Sequence, residues 1–188
     1  PNRISAERLA LDLARFRDAL ARLPRPHIAV IVGGVSKAHR LPVAHATKLA
    51  RQISAAIIAS KGSVLVSFTR RTPQPAREAM TAGLQALPGL IWDGQGDNPY
   101  FAYLADADAI LVTEDSTNLA TDAAALGTPV FILDLPGKSA KLDRFHQALR
   151  ARGIAQPFTG DLTARPYIPL AETERAAREL LRRYDGSA

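Results

Sequence analysis

Behind Pro24 and Pro26, short apolar runs of strand length alternate with longer stretches whose apolar residues recur at helical spacing. The runs predict strands at His27–Val32, Ser63–Phe68, Leu90–Asp93, Ala109–Thr113 and Pro129–Leu133. Between them the pattern predicts helices at Val43–Ser60, Gln74–Ala86, Tyr100–Ala105, Ser116–Leu126 and Ser139–Arg152. A further helix is expected over Ser5–Leu23, where Leu9, Leu13, Phe16, Leu20 and Leu23 form one stripe. Another is expected over Ala171–Tyr184, after an arm from Gln156 to Pro169 that reads as a crossover connection. The runs at Ile28–Val32, Val64–Val66 and Ala109–Val112 are continuous rather than alternating, as strands covered on both faces are. Gly127-Thr128-Pro129 ends one helix and starts a strand, because Gly tolerates the left-handed cap and Pro cannot extend the helix. Strands alternating with helices predict an α/β fold, a doubly wound, Rossmann-like parallel sheet of about five strands. We expect residues 1–25 to be a linker or edge helix and 26–188 to be one domain.

Composition narrows the function classes. The 188 residues are 47% hydrophobic and 22% charged, and no apolar stretch is long enough to cross a bilayer. The chain has no cysteine, which removes disulfides, thiolate zinc sites and thiol nucleophiles and fits a reducing, cytoplasmic setting. Peripheral contact with a membrane surface stays open. The net charge of +6 is carried by scattered arginines such as Arg15, Arg51, Arg70, Arg71 and Arg150. That balance suits an anionic ligand and equally suits solvated helix faces. Nucleic acid is not implied, since basic-aromatic motifs are lacking and one Trp and four Tyr offer little for base stacking.

Candidate chemistry gathers where strands stop, the usual ligand crevice of an open parallel sheet. Gly33-Gly34 closes the first strand, and glycines there let backbone N–H groups approach a phosphate while Ser36 and Lys37 add a hydroxyl and a positive charge. A tight turn alone would also use that glycine pair. Neither the three-glycine dinucleotide turn nor a Walker loop is present, so no NAD is expected. Arg70 and Arg71 follow the second strand, where a guanidinium can fork onto phosphate oxygens or simply stay in solvent. The turn Trp92–Tyr100 is rich in Gly, Asp and Asn, and turn chemistry explains most of it.

The fourth strand ends in Thr113-Glu114-Asp115-Ser116-Thr117-Asn118. Ser116, Thr117 and Asn118 open a helix whose free N–H groups and dipole attract an anion such as a pyrophosphate, and Asp115 or Ser116 also serves as its cap. Asp122 stands one and a half turns inside, placed either to accept from ribose hydroxyls or as an exposed helical acid. The acidic residues show no metal-binding spacing, His27, His39, His45 and His146 form no zinc motif, and no metal is expected. His146 reads as a polar core residue first.

Taken in order, Gly33-Gly34-Val35-Ser36-Lys37, Ser67–Pro73, Trp92-Asp93-Gly94 with Asn98-Pro99-Tyr100, Val112–Ser116 and Lys141–His146 resemble the mitochondrial fission Elm family. Some bacterial members of that family are labelled predicted nucleoside-diphosphate-sugar epimerases. The resemblance spans Pro26 to Arg182 and implies the carboxyl-terminal half of a longer two-domain protein, similar to GT-B glycosyltransferases, in which the second Rossmann-like domain holds most of the nucleotide sugar. It implies that Ser116–Pro129 is the nucleotide-binding helix and that Asp122, five positions before Gly127, touches ribose. Ser116-Thr117-Asn118 stands where that class commonly has a glycine turn. The implied partners are a nucleoside-diphosphate sugar and an amino-terminal domain of the same protein. The implied chemistry is sugar transfer or epimerisation, with the catalytic residues unassigned and the fragment alone inactive. The family's plant fission factors imply an alternative, a non-catalytic interaction module using an apolar surface such as Leu9, Leu13 and Phe16.

Overall fold

A computed structural model describes residues 4–165, 167–171, 178, 180–182 and 184. Its elements, in chain order, are α1 (Ala6–Leu20), β1 (His27–Val32), α2 (Val43–Ser60), β2 (Ser63–Phe68), α3 (Gln74–Leu84), β3 (Gly89–Ile91), α4 (Tyr100–Asp106), β4 (Ala109–Thr113), α5 (Thr117–Ala124), β5 (Val130–Leu133), α6 (Ala140–Ala151) and β6 (Ala155–Pro157). The helix expected over 171–184 falls largely outside the described residues.

The strands form one sheet in the order β3-β2-β1-β4-β5-β6, and every neighbouring pair is parallel. This is the doubly wound α/β arrangement, with six strands where the sequence predicts about five. The sixth, Ala155–Pro157, lies at the start of the segment read as a crossover arm and pairs with β5 from Val130 to Ile132. Its three residues show no period, and its terminal proline, which lacks a backbone donor, is tolerated at a sheet edge. The third strand runs Gly89–Ile91 rather than through Asp93. Gly89 has φ 155°, and a Cβ there would stand 2.1 Å from the Val64 carbonyl oxygen, so only glycine enters the sheet at that point.

All six residues of β1 are buried, as are those of β2. Ile28, Val30, Val32, Val64, Val66 and Phe68 meet α2 and α3 on one face, while Ala29, Ile31, Leu65, Ile110 and Val112 meet the α4 and α5 layer on the other. Each such aliphatic side chain, fully buried, contributes about 1.5–3 kcal/mol. The stripe of α1 joins the second face: Leu20 is buried, and Leu9, Leu13, Phe16 and Leu23 pack against that cluster. The Arg8 guanidinium lies 4.3 Å over the Phe101 ring of α4.

Because the strands are parallel, their carboxyl ends share one edge of the sheet. From β1 the chain winds outward through β2 and β3, then returns through α4 to β4 on the other side of β1. The topological switch point therefore lies between β1 and β4, the place where doubly wound sheets open a ligand crevice.

Candidate functional site at the switch point

At the switch point a set of hydrogen bonds joins three strand ends. The Gly33 N–H donates to Thr113 Oγ1 at 2.7 Å, and the Thr113 hydroxyl donates to Asp115 Oδ1 at 2.7 Å. Asp115 Oδ2 faces Arg71 Nη2 at 2.8 Å, an ion pair with the carboxylate side chain fully buried and the arginine side chain 41% exposed. From the β2–α3 loop, the Thr72 hydroxyl reaches the carbonyls of Val32 at 2.8 Å and Gly33 at 2.5 Å. Gly33 is needed for contact: a Cβ would stand 2.3 Å from Asp115 Oδ1. Gly34 is needed for conformation, with φ 140°, and a Cβ there would stand 2.8 Å from the Arg71 carbonyl oxygen.

Amides of this turn are already engaged. Besides that of Gly33, the Val35 N–H goes to the Arg71 carbonyl and the Ser36 N–H to the His39 carbonyl, each at 3.1 Å. Ser36 Oγ accepts from the N–H groups of Ala38 at 3.2 Å and His39 at 3.0 Å, which folds residues 36–39 into a compact turn. Lys37 projects from that turn into solvent, and Arg70 is exposed on the loop after β2. These two cations lie on the loops that follow β1 and β2.

Directly after Asp115, Ser116 caps α5, its Oγ accepting from the Leu119 N–H at 3.5 Å. Thr117 is half-buried and Asn118 exposed in the first turn, where helix N–H groups have no intrahelical partner. Glu114 turns the other way: its Oε1 accepts from the Leu135 N–H at 2.7 Å and lies 4.0 Å from His39 Nε2. His146 of α6, buried, donates from Nε2 to the Glu114 carbonyl at 2.9 Å, which makes it a polar core residue. Asp122 is 2% exposed, and its Oδ2 accepts from the Tyr100 hydroxyl at 3.0 Å.

The structure thus brings Gly33, Arg71, Thr113 and Asp115 into one network, with Gly34 beside it against the Arg71–Thr72 turn and Ser116, Thr117 and Asn118 following β4. It places Lys37 and Arg70 on flanking loops, Glu114 toward β5 and Asp122 beside α4. Sequence reasoning missed Thr72, His39 and the Tyr100–Asp122 pair. Only Thr72 had a readable signal, a hydroxyl before Pro73 in a strand-to-helix turn. Among the described residues no group of three or more His, Cys, Asp or Glu side chains is arranged to hold a metal ion, and no helix is long and apolar enough to cross a membrane.

Comparison with known proteins gives this geometry a context. The chain is 32% identical over 174 residues to the mitochondrial fission protein ELM1 of Arabidopsis thaliana, covering 89% of this chain and 40% of that protein. It is 30% identical over 178 residues to an uncharacterized protein of Rickettsia prowazekii (strain Madrid E), covering 87% of this chain and 50% of the other. The chain therefore spans half or less of the length of these relatives. Among solved structures, UDP-GlcNAc 2-epimerase from Neisseria meningitidis, bound to UDP-GlcNAc, superposes with a TM-score of 0.51 at 13% identity, over 82% of this chain and 40% of that one. At that identity the likeness is one of fold alone. The model of the family described as mitochondrial fission ELM1 matches residues 1–184, and the chain belongs to that family.

Proposed function

We propose that this chain is the nucleotide-sugar-binding half of a two-domain, GT-B-like protein that transfers or epimerises a sugar. The observation that carries the reading is the switch point itself: the Ser116-capped start of α5 leaves β4 beside the end of β1, with β2 next beyond β1, and the loops after β1 and β2 carry Lys37 and Arg70. A helix start offers N–H donors and a positive dipole end to a diphosphate, and two exposed cations complete its neutralisation. The engaged amides at Gly33, Val35 and Ser36 give the glycine turn a different part. It sets the floor on which the diphosphate rests, while Ser116, Thr117 and Asn118 supply the donors. Arg71 holds Asp115 in place and leaves the outward cation role to Arg70.

Asp122 is the ribose acceptor in this proposal, its carboxylate oriented by the Tyr100 hydroxyl. At 2% exposure it meets a ribose only after its cover shifts, so Asp122→Asn separates ribose recognition from diphosphate binding. The groups that break and form bonds are assigned to the other domain of the longer protein. The alternative, an interaction module, draws no support from Leu9, Leu13 and Phe16, which are partly buried against the α4 layer.

Thermal unfolding of the chain with UDP-, GDP-, ADP- and CMP-sugars tests the reading. One of them is expected to raise Tm, since ligand at ten times its Kd adds about 1.4 kcal/mol to the folded state. The shift should shrink in Lys37→Ala and Arg70→Ala, both exposed substitutions that leave the fold intact. No shift with any of the four through millimolar concentration would overturn it.

A further inference from the structure

At the far edge of the sheet, beside β6, lies a cavity of about 430 Å³, within the usual range of small-molecule sites. It sits by the amino-terminal ends of β5 and β6, whereas the crevice lies at the carboxyl ends of the strands. Val130, Ile154, Pro157 and the Tyr167 ring form its apolar wall. That ring is fixed in place, because the Tyr167 hydroxyl donates to the Thr128 carbonyl at 2.9 Å. The arm that completes the lining is tied to β6, with Gln156 Nε2 donating to the Thr163 carbonyl at 2.7 Å. Two arginines, Arg150 from the last turn of α6 and Arg165 from the arm, carry the charge of the lining, which holds no carboxylate. Both are exposed, so a ligand reaches them, and neither guanidinium has a hydrogen bond or ion pair with a described residue. Asp161, the acid of the arm, is outside the lining, and its Oδ1 accepts from the Thr163 N–H at 2.9 Å and hydroxyl at 2.8 Å. The carboxyl end of α6 would oppose an anion if its carbonyls were free. Those of Ala148, Leu149 and Arg150 instead accept from the N–H groups of Arg152, Ile154 and Gly153.

We infer that this cavity is a second ligand site, independent of the crevice, and that it takes a small organic phosphomonoester. Two guanidinium groups with no opposing carboxylate favour a dianion, and a phosphomonoester brings a charge of about −1.5 to −2 at neutral pH, with oxygens that suit forked donors. A carboxylate or sulfonate of the same shape brings a single charge. The apolar wall takes the organic group, which lies against the Tyr167 ring and Pro157.

Titration of the ¹⁵N-labelled chain with phenyl phosphate at neutral pH tests the inference, read at the amides of Gly153 and Thr163, which both line the cavity. Saturable movement with a Kd in the millimolar range or below is expected, and benzenesulfonate, similar in shape with one charge, is expected to bind at least about fivefold more weakly. Inorganic phosphate, which leaves the apolar wall empty, should also bind more weakly. Arg150→Met and Arg165→Met, both at exposed positions, should each weaken phenyl phosphate by at least about fivefold. Thr163→Trp, also at an exposed position, should fill the cavity and abolish the movement at Gly153 while the remaining spectrum shows the native fold. Lys37→Ala and Arg70→Ala, at the crevice, should bind phenyl phosphate as the parent does, which keeps this site separate from the nucleotide-sugar reading. Amides that stay fixed through millimolar phenyl phosphate, equal affinity for benzenesulfonate, full binding by Thr163→Trp, or binding lost in Lys37→Ala would each overturn it.

Discussion

Asp115 shows how much one buried carboxylate organises. Its Oδ1 takes the Thr113 hydroxyl, its Oδ2 faces Arg71, and its oxygens occupy the space a side chain on Gly33 would need. Gly33→Ala is therefore expected to destabilise the chain by about 1–3 kcal/mol, because a short side chain pinned at both oxygens cannot swing away. A urea midpoint lowered at unchanged m-value checks this. Thr113→Val keeps the shape and removes the hydroxyl, leaving the Gly33 N–H and Asp115 Oδ1 without that partner. We expect a loss of about 1–3 kcal/mol by the same measurement. The residue types of this network were legible in the sequence, since Gly33, Arg71, Thr113 and Asp115 all stand out at strand ends. Their partners were not. A glycine amide aimed at phosphate and one tied to a threonine hydroxyl read alike in sequence, because the threonine is 80 positions away.

Helix starts separate local from functional roles. Ser116 caps α5 and Ser139 caps α6, each by accepting from the N–H three residues on. Ser116→Ala and Ser139→Ala should each cost about 1 kcal/mol in chemical denaturation. Only Ser116→Ala should also weaken the thermal shift produced by a nucleotide sugar, because only α5 starts at the crevice. Equal binding by both variants would remove the α5 start from the proposed site. Most element boundaries were readable because caps and periods are local: Ser116, Ser139 and Gly127 end or begin helices within one or two residues of expectation. β6 was not readable. Three residues ending in proline, Ala155-Gln156-Pro157, become a strand only because β5 offers them an open edge.

The whole molecule is a sheet covered on both faces, and its covering layers bury groups that titrate. Burial pushes the Tyr103 phenol up to about 12, and burial likewise raises Tyr167 to about 12 against an opposing backbone hydrogen bond from Gly127. The unfolded chain releases these protons near pH 10, while the folded chain keeps them until about pH 12. Stability contributed by the neutral phenols is thus intact below pH 10 and is lost as pH rises toward 12, at most about 2–3 kcal/mol for each tyrosine. Denaturant titrations at pH 9 and pH 11 should show the fall, and Tyr103→Phe should make it shallower. The amino-acid sequence by itself determined the alternation of strands and helices, the burial of the central strands on both faces and the serines that start α5 and α6. These depend on neighbours within a turn or a pleat. The tertiary structure alone decided the strand order, the sixth strand, the docking of α1 on α4 and the partners of Gly33, Asp115 and Asp122. Apart from the Thr113–Asp115 bond, those rest on groups tens of residues apart, which meet only once the chain has folded back on itself.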